Sequence, residues 1–159
     1  MSVAFTKEGD SEASAADLPD RPISPHPNFV TREGMAALDE ALAAARAAYA
    51  LAQAGDNIGA DRTAMARATR DLRYYVARRG NAKLVEPEGG DGVIRFGSRV
   101  TLEQDDGVRR SYRIVGEDEA DPARGSVSYV SPIAQALMGK AVGDEAQVAG
   151  RQIEIVAVD

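Results

Sequence analysis

At Pro87-Glu88-Gly89-Gly90-Asp91-Gly92 the spacing of apolar residues changes from the period of a helix to that of a strand, and no single element accommodates both. The chain must therefore fold in two parts of different kind. Upstream, Met35, Leu38, Leu42, Ala45, Tyr49 and Ala52 step by three and four, forming one seam at heptad spacing. Thr31 stands where an N-cap belongs. The period is broken at Gly55-Asp56-Asn57-Ile58-Gly59, whose glycines and Asn accept left-handed backbone. A second helix is predicted from about Ala60 to Arg79, with Met65, Ala68, Leu72 and Tyr75 or Val76 on its seam and Gly80-Asn81 as its stop. Two helices of similar length on a short link form an antiparallel hairpin. Its seam is rich in alanine, so burial per turn is modest.

Downstream, Arg99 to Leu102, Arg110 to Val115, Ser126 to Val130, Glu145 to Val148 and Gln152 to Val158 read as short strands. Asp105-Asp106-Gly107 is a hairpin signal between the first two. One helix interrupts the array. Ser131 caps it, Pro132 takes the first position, Ile133, Ala136 and Leu137 share a face, and Gly139 ends it. The expected core is Val100, Leu102, Ile114, Val127, Tyr129, Leu137, Val148, Ile153 and Ile155. The class is α+β, a helical hairpin followed by a small sheet with one covering helix.

With 159 residues, the chain is long enough to bury a core without staples. It contains no cysteine, which excludes disulfides, thiolate metal sites and cysteine nucleophiles. No apolar run approaches the ~20 residues of a membrane span, and Met1 to Asp10 lacks a secretory apolar segment. The expectation is a cytoplasmic protein with no membrane partner. Aromatic residues are only 5% of the chain, a poor supply of stacking platforms for single strands. The net charge of −6 argues against a general duplex-DNA binder. Residues 1–28, 29–83 and 84–159 carry −3, +3 and −6 in turn, which implies separate surfaces with separate partners.

The acidic, proline-bearing composition of residues 1–28 predicts a disordered tail, and His26 within it reads as an exposed tail residue. The run Glu117-Asp118-Glu119-Ala120-Asp121 lacks the ligand spacing of a calcium loop and reads as a solvated loop. Ser131 has no histidine near it in sequence, so capping is a better reading than nucleophilic catalysis. Arg62, Arg67, Arg70, Arg73, Arg78 and Arg79 give the second helix a positive field suited to phosphates or an acidic protein rim.

Several ordered blocks carry a resemblance. Val30-Thr31-Arg32-Glu33-Gly34, with Leu38 and Leu42 after it, resembles the start of the first helix of the GreA/GreB transcription elongation factor family. Phe96-Gly97-Ser98, Val100-Thr101-Leu102, Ile114-Val115-Gly116-Glu117-Asp118-Glu119-Ala120-Asp121, Ser131 to Lys140 and Val142-Gly143-Asp144 are similar to that family's carboxy-terminal domain in order and spacing. The resemblance implies an antiparallel coiled-coil hairpin over 29–83, a linker over 84–92 and an FKBP-like globular domain over 93–159. It implies a monomeric accessory, not itself an enzyme, that binds bacterial RNA polymerase. Ser131, Pro132 and Ile133 would grip the rim of the secondary channel while the coil enters it. Nucleic acid would be met only through the transcription complex, with Arg62, Arg67, Arg70 and Arg73 as candidates for contact with RNA phosphates.

At the coil tip the family holds two carboxylates that help retain a catalytic Mg²⁺ in the polymerase site. The resemblance implies no cofactor of the chain's own. Here Asp56 matches the first carboxylate and so is the candidate contact to polymerase-bound Mg²⁺, but the second position is Gly59. Asp61 lies five residues from Asp56, a rotation of about 140° on a helix, so it would face away. Each arm spans about 22 to 25 residues, roughly 35 Å, whereas the family's arms look longer by about eight or nine residues, or ~13 Å. The resemblance, with these departures from it, therefore implies a polymerase-binding elongation regulator with weak or no cleavage stimulation. Two alternatives remain open: a regulator of nucleoside diphosphate kinase, which has a shorter coil, and a peptidyl-prolyl isomerase, which rests on fold analogy alone.

Overall fold

The computed structural model describes residues 18–55 and 58–159, those at 58–61 by backbone alone. Two compact units result: residues 18–25 with 38–81, and residues 26–37 with 82–159. In the second unit β1 (Phe29–Val30) leads into α1 (Arg32–Gln53), whose first six residues belong with this unit. The elements that follow α2 (Ile58–Gly80) are β2 (Lys83–Leu84), β3 (Arg99–Gln104), β4 (Arg109–Val115), β5 (Ser126–Ser128), α3 (Pro132–Leu137), β6 (Glu145–Val148) and β7 (Arg151–Val158). The strands β3 to β7 form one sheet in the order β5-β4-β3-β7-β6, antiparallel except for the parallel pair β4 and β5.

Alternation sets the sheet's inner face. Val100 and Leu102 on β3, Ile114 on β4, and Ile153 and Ile155 on β7 are buried together with Val127, Tyr129, Ala134 and Leu137. The register between β3 and β7 slips by one residue between Thr101 and Leu102, a bulge that bends the pair. Gly107 closes the β3–β4 hairpin with positive φ, its N–H donating to Gln104 O at 2.9 Å. Phe29, Phe96 and Tyr129 pack as an aromatic trio with centroids 5.3 to 6.1 Å apart, and the Tyr129 hydroxyl donates to Pro27 O.

The hairpin unit holds the rest of α1 and all of α2 (Ile58–Gly80). Leu38, Leu42, Ala45 and Ala68 are its buried apolar residues, while Tyr49, Met65, Leu72 and Tyr75 are half-buried. Asp39 near the start of α1 pairs with Arg79 at the end of α2 at 2.5 Å, which is an antiparallel arrangement.

Several expectations shift. Residues 18–28 are not a free tail: Asn28 is buried, and Arg21 pairs with Asp71 at 3.3 Å. Residues 1–17 lie outside the described residues. The stretch expected as linker, 84–92, belongs to the sheet unit, because β2 pairs in parallel with β1 and Val85 N–H donates to Val30 O at 2.9 Å. That pairing joins residues more than fifty positions apart, so no local pattern announces it. Helix α2 starts two residues before the expected Ala60. Val76 is exposed, leaving Tyr75 as the seam residue, and Val148 is only half-buried. Arg78, named among the arginines of the second helix's positive field, is 1% exposed and so not on its surface.

Candidate functional site

The start of α3 is built from the core outward. Ser131, in extended backbone, accepts from Ala134 N–H through its side chain at 3.3 Å, and Pro132 takes the first helical position, where no N–H is missed. Ala134 and Leu137 are fully buried and fix the helix to the sheet, and Gln135 Nε2 donates to Tyr129 O at 2.7 Å. Pro132 is thereby left exposed and Ile133 half-buried against the core. The serine, proline and isoleucine named from the sequence therefore stand together. Ile133 forms one wall of a cavity of about 260 Å³ whose other apolar walls are Leu102, Tyr112, Val148 and Ile153, with Arg110 and Arg151 also lining it. The sequence reading missed this cavity, since its walls come from four separate strands.

A second feature anchors α1. Thr31, fully buried, accepts from Gly34 N–H at 3.0 Å as the expected N-cap. Its hydroxyl also donates to Glu119 Oε1. Glu119 is half-buried, so part of the acidic run serves as a carboxylate at a helix N-terminus, where the dipole favours it. This corrects the reading of a wholly solvated loop. The signal was present in two glycines. A Cβ on Gly34 would stand 2.9 Å from Glu119 Cδ, and one on Gly116 would run into the carbonyl oxygen of Phe29. Nearby, the Glu33 carboxyl is held below its ordinary value, first by backbone hydrogen bonding and then by Arg113, whose Nη2 lies 3.4 Å away.

On the hairpin, Arg62, Arg70 and Arg73 line one open groove of about 700 Å³ with Leu18, Asp20 and Met65. Arg67 is exposed and does not line it. Arg73 Nη1 donates to Asp20 Oδ1 at 3.1 Å. Asp56 lies outside the described residues, as does the side chain of Asp61. Among the described residues no group of three or more His, Asp or Glu is placed to hold a metal ion. No helix among them is long and apolar enough to cross a membrane.

A family profile described as transcription elongation factor, GreA/GreB, C-terminal, matches residues 89–159. The transcription elongation factor GreA of Paracoccus denitrificans is 34% identical over 148 residues, covering 81% of this chain and 95% of that relative. This chain belongs to the GreA/GreB family. With the GreA of Desulfovibrio desulfuricans it shares 41% identity over 98 residues, a match spanning 60% of this chain and 59% of the relative. Among solved structures, the GreA factor homolog 1 (Gfh1) of Thermus thermophilus is 25% identical, with a TM-score of 0.41, over 84% of this chain and 99% of that one. In the Paracoccus match, 81% of 159 residues is about 129, so about 19 of the 148 aligned positions have no counterpart in this family member. The relatives bear the name of elongation factors, and the kinase-regulator alternative gains no support from them.

Proposed function

We propose that this family member regulates transcript elongation by binding RNA polymerase at its secondary channel, as a monomeric accessory that performs no catalysis of its own. The grip is the start of α3. The observation that carries this reading is the exposed Pro132 beside Ile133, at the wall of an apolar cavity edged by Arg110 and Arg151. An apolar pocket with a cationic rim fits a partner that inserts one apolar side chain and brings carboxylates around it. Membership of a family of elongation factors supplies the partner class.

The hairpin is the part that enters the channel, and two features limit what it does there. Its arms are 22 and 23 residues long, about 33 to 35 Å at 1.5 Å per residue. The deficit of about 19 positions against the Paracoccus GreA is the size that two arms shortened by eight or nine residues would produce. The position of the second tip carboxylate is Gly59, and Mg²⁺ demands near-octahedral oxygen geometry at about 2.1 Å. Transcript-cleavage stimulation is therefore weak, and occupancy of the channel is the main effect.

The grip is tested by titrating purified polymerase with the full chain. Pro132→Asp and Ile133→Asp are expected to weaken binding at least tenfold, about 1.4 kcal/mol, with smaller proportional changes in melting temperature. Unchanged affinity in both variants overturns the assignment.

A further inference from the structure

Strand register sets two arginines on the core-facing side of the sheet. Arg110 on β4 pairs with Leu102 on β3, and Arg151 stands two residues before Ile153 on β7; residues so placed share a face. Leu102 and Ile153 are buried in the core while both arginines are exposed, so this face runs out of the core into a charged edge. The edge borders the cavity of about 260 Å³ beside Ile133, whose lining also takes in Tyr112 and Gln104 but no carboxylate. On the opposite face of β4 the arginines are paired, Arg109 with Glu103 at 2.7 Å and Arg113 with Glu33 at 3.4 Å. Among the described residues Arg110 and Arg151 have no such partner, and Arg151 Nη1 reaches only the neutral Gln104 Oε1 at 3.4 Å. The turn between β6 and β7 adds an independent sign. Ala149 lines the cavity with φ at 51°, the one non-glycine residue among those described with positive φ. A side chain there is strained, and such strain gathers at ligand sites.

We propose that this cavity binds a small apolar carboxylic acid in its ionised form, with the apolar body among Leu102, Ile133, Val148 and Ile153 and the carboxylate at the edge formed by Arg110 and Arg151. The charge is complementary, and the planar guanidinium offers paired donors that match a carboxylate. An apolar body is needed as well, because exposed arginines alone hold an anion weakly. The volume of about 260 Å³ lies below the roughly 300 Å³ at which pockets for drug-sized ligands begin, so the ligand is compact. Since Ile133 also belongs to the grip proposed for polymerase, the bound acid competes with that partner. This consequence rests on the grip reading, whereas the binding itself does not.

The test is calorimetry of the full chain with phenylacetate, against phenylethanol as the uncharged counterpart. One acid per chain is expected, with the alcohol bound about tenfold more weakly. Arg110→Gln together with Arg151→Gln lowers the acid's affinity about tenfold and leaves that of the alcohol unchanged. Arg99→Gln together with Arg124→Gln, an equal change of charge elsewhere on the sheet unit, lowers it less than about twofold. The proposal is overturned by no binding of the acid, by equal binding of acid and alcohol, or by equal losses in the two arginine pairs. Polymerase is then titrated with the chain at an acid concentration about ten times the acid's own Kd, where competition raises the apparent Kd for polymerase about tenfold. An unchanged value, with the acid bound to the free chain, overturns the competition; unchanged polymerase affinity in Pro132→Asp and Ile133→Asp overturns the grip reading instead.

Discussion

The sheet unit and the hairpin unit solve the same problem with unequal means. The sheet unit gathers eleven buried residues into one cluster, with half-buried aromatics packed against it. Among the described residues, the hairpin buries only Leu38, Leu42, Ala45 and Ala68 of its apolar side chains, and two of these are alanine. At roughly 25 cal/mol per Å² of apolar surface, the difference leaves the hairpin reliant on shallow seam contacts and on pairs such as Asp39 with Arg79. One unit is built to hold a surface in a fixed shape. The other is built to be slender.

The largest expected effect sharpens that contrast. Ile155→Ala removes a fully buried side chain from the centre of the sheet, and a loss of about 4 kcal/mol in urea denaturation is expected. Leu42→Ala, on the thin hairpin seam, is expected to cost about 2 kcal/mol. Equal losses would break the comparison. Next in size is Gly116→Ala. Its Cβ would press on the Phe29 carbonyl, which is backbone and cannot rotate away, so about 2 to 3 kcal/mol is expected. Urea titration of the variant checks this, and a loss below about 0.5 kcal/mol would show that β1 can shift freely.

The smallest effect concerns pH. Arg95 holds the Asp91 carboxyl well below its ordinary value, first by the side-chain hydrogen bond at 2.5 to 2.7 Å, with Val93 N–H assisting. Because the folded value lies below the unfolded one, this carboxylate stabilises the fold above about pH 3.9 and loses that contribution as the pH falls further. Both partners are well exposed, so the effect is small. Melting temperatures of the wild type and Asp91→Asn are expected to differ slightly at neutral pH and to converge in acid. A gap that stays constant down to strongly acidic pH would contradict this origin.

What was legible in the sequence follows the range of the forces involved. The period of Val100, Leu102, Ile153 and Ile155, the Asp-Gly turn at 106–107 and the Ser-Pro cap at 131–132 are each decided within a few residues, and each stands where it was expected. The parallel pairing of β1 with β2, the hydroxyl of Thr31 against Glu119 and the packing of residues 18–21 on α2 depend on partners fifty to ninety positions away. Composition misled in the acidic run: Glu119 looked like solvated charge, but it meets the hydroxyl of Thr31. Of the candidate site, the Ser-Pro helix start was visible from residue types, whereas Ser131, Pro132 and Ile133 as a grip were implied only by the family resemblance. The cavity beside Ile133 needed the sheet to close around it.

The function proposed above has the factor occupy polymerase without completing its cleavage chemistry. The most direct measurement is RNA release from a stalled, backtracked elongation complex at saturating factor. Binding without appreciable release, unaltered by Asp56→Ala, is the expected result. Rapid release that Asp56→Ala abolishes would contradict it.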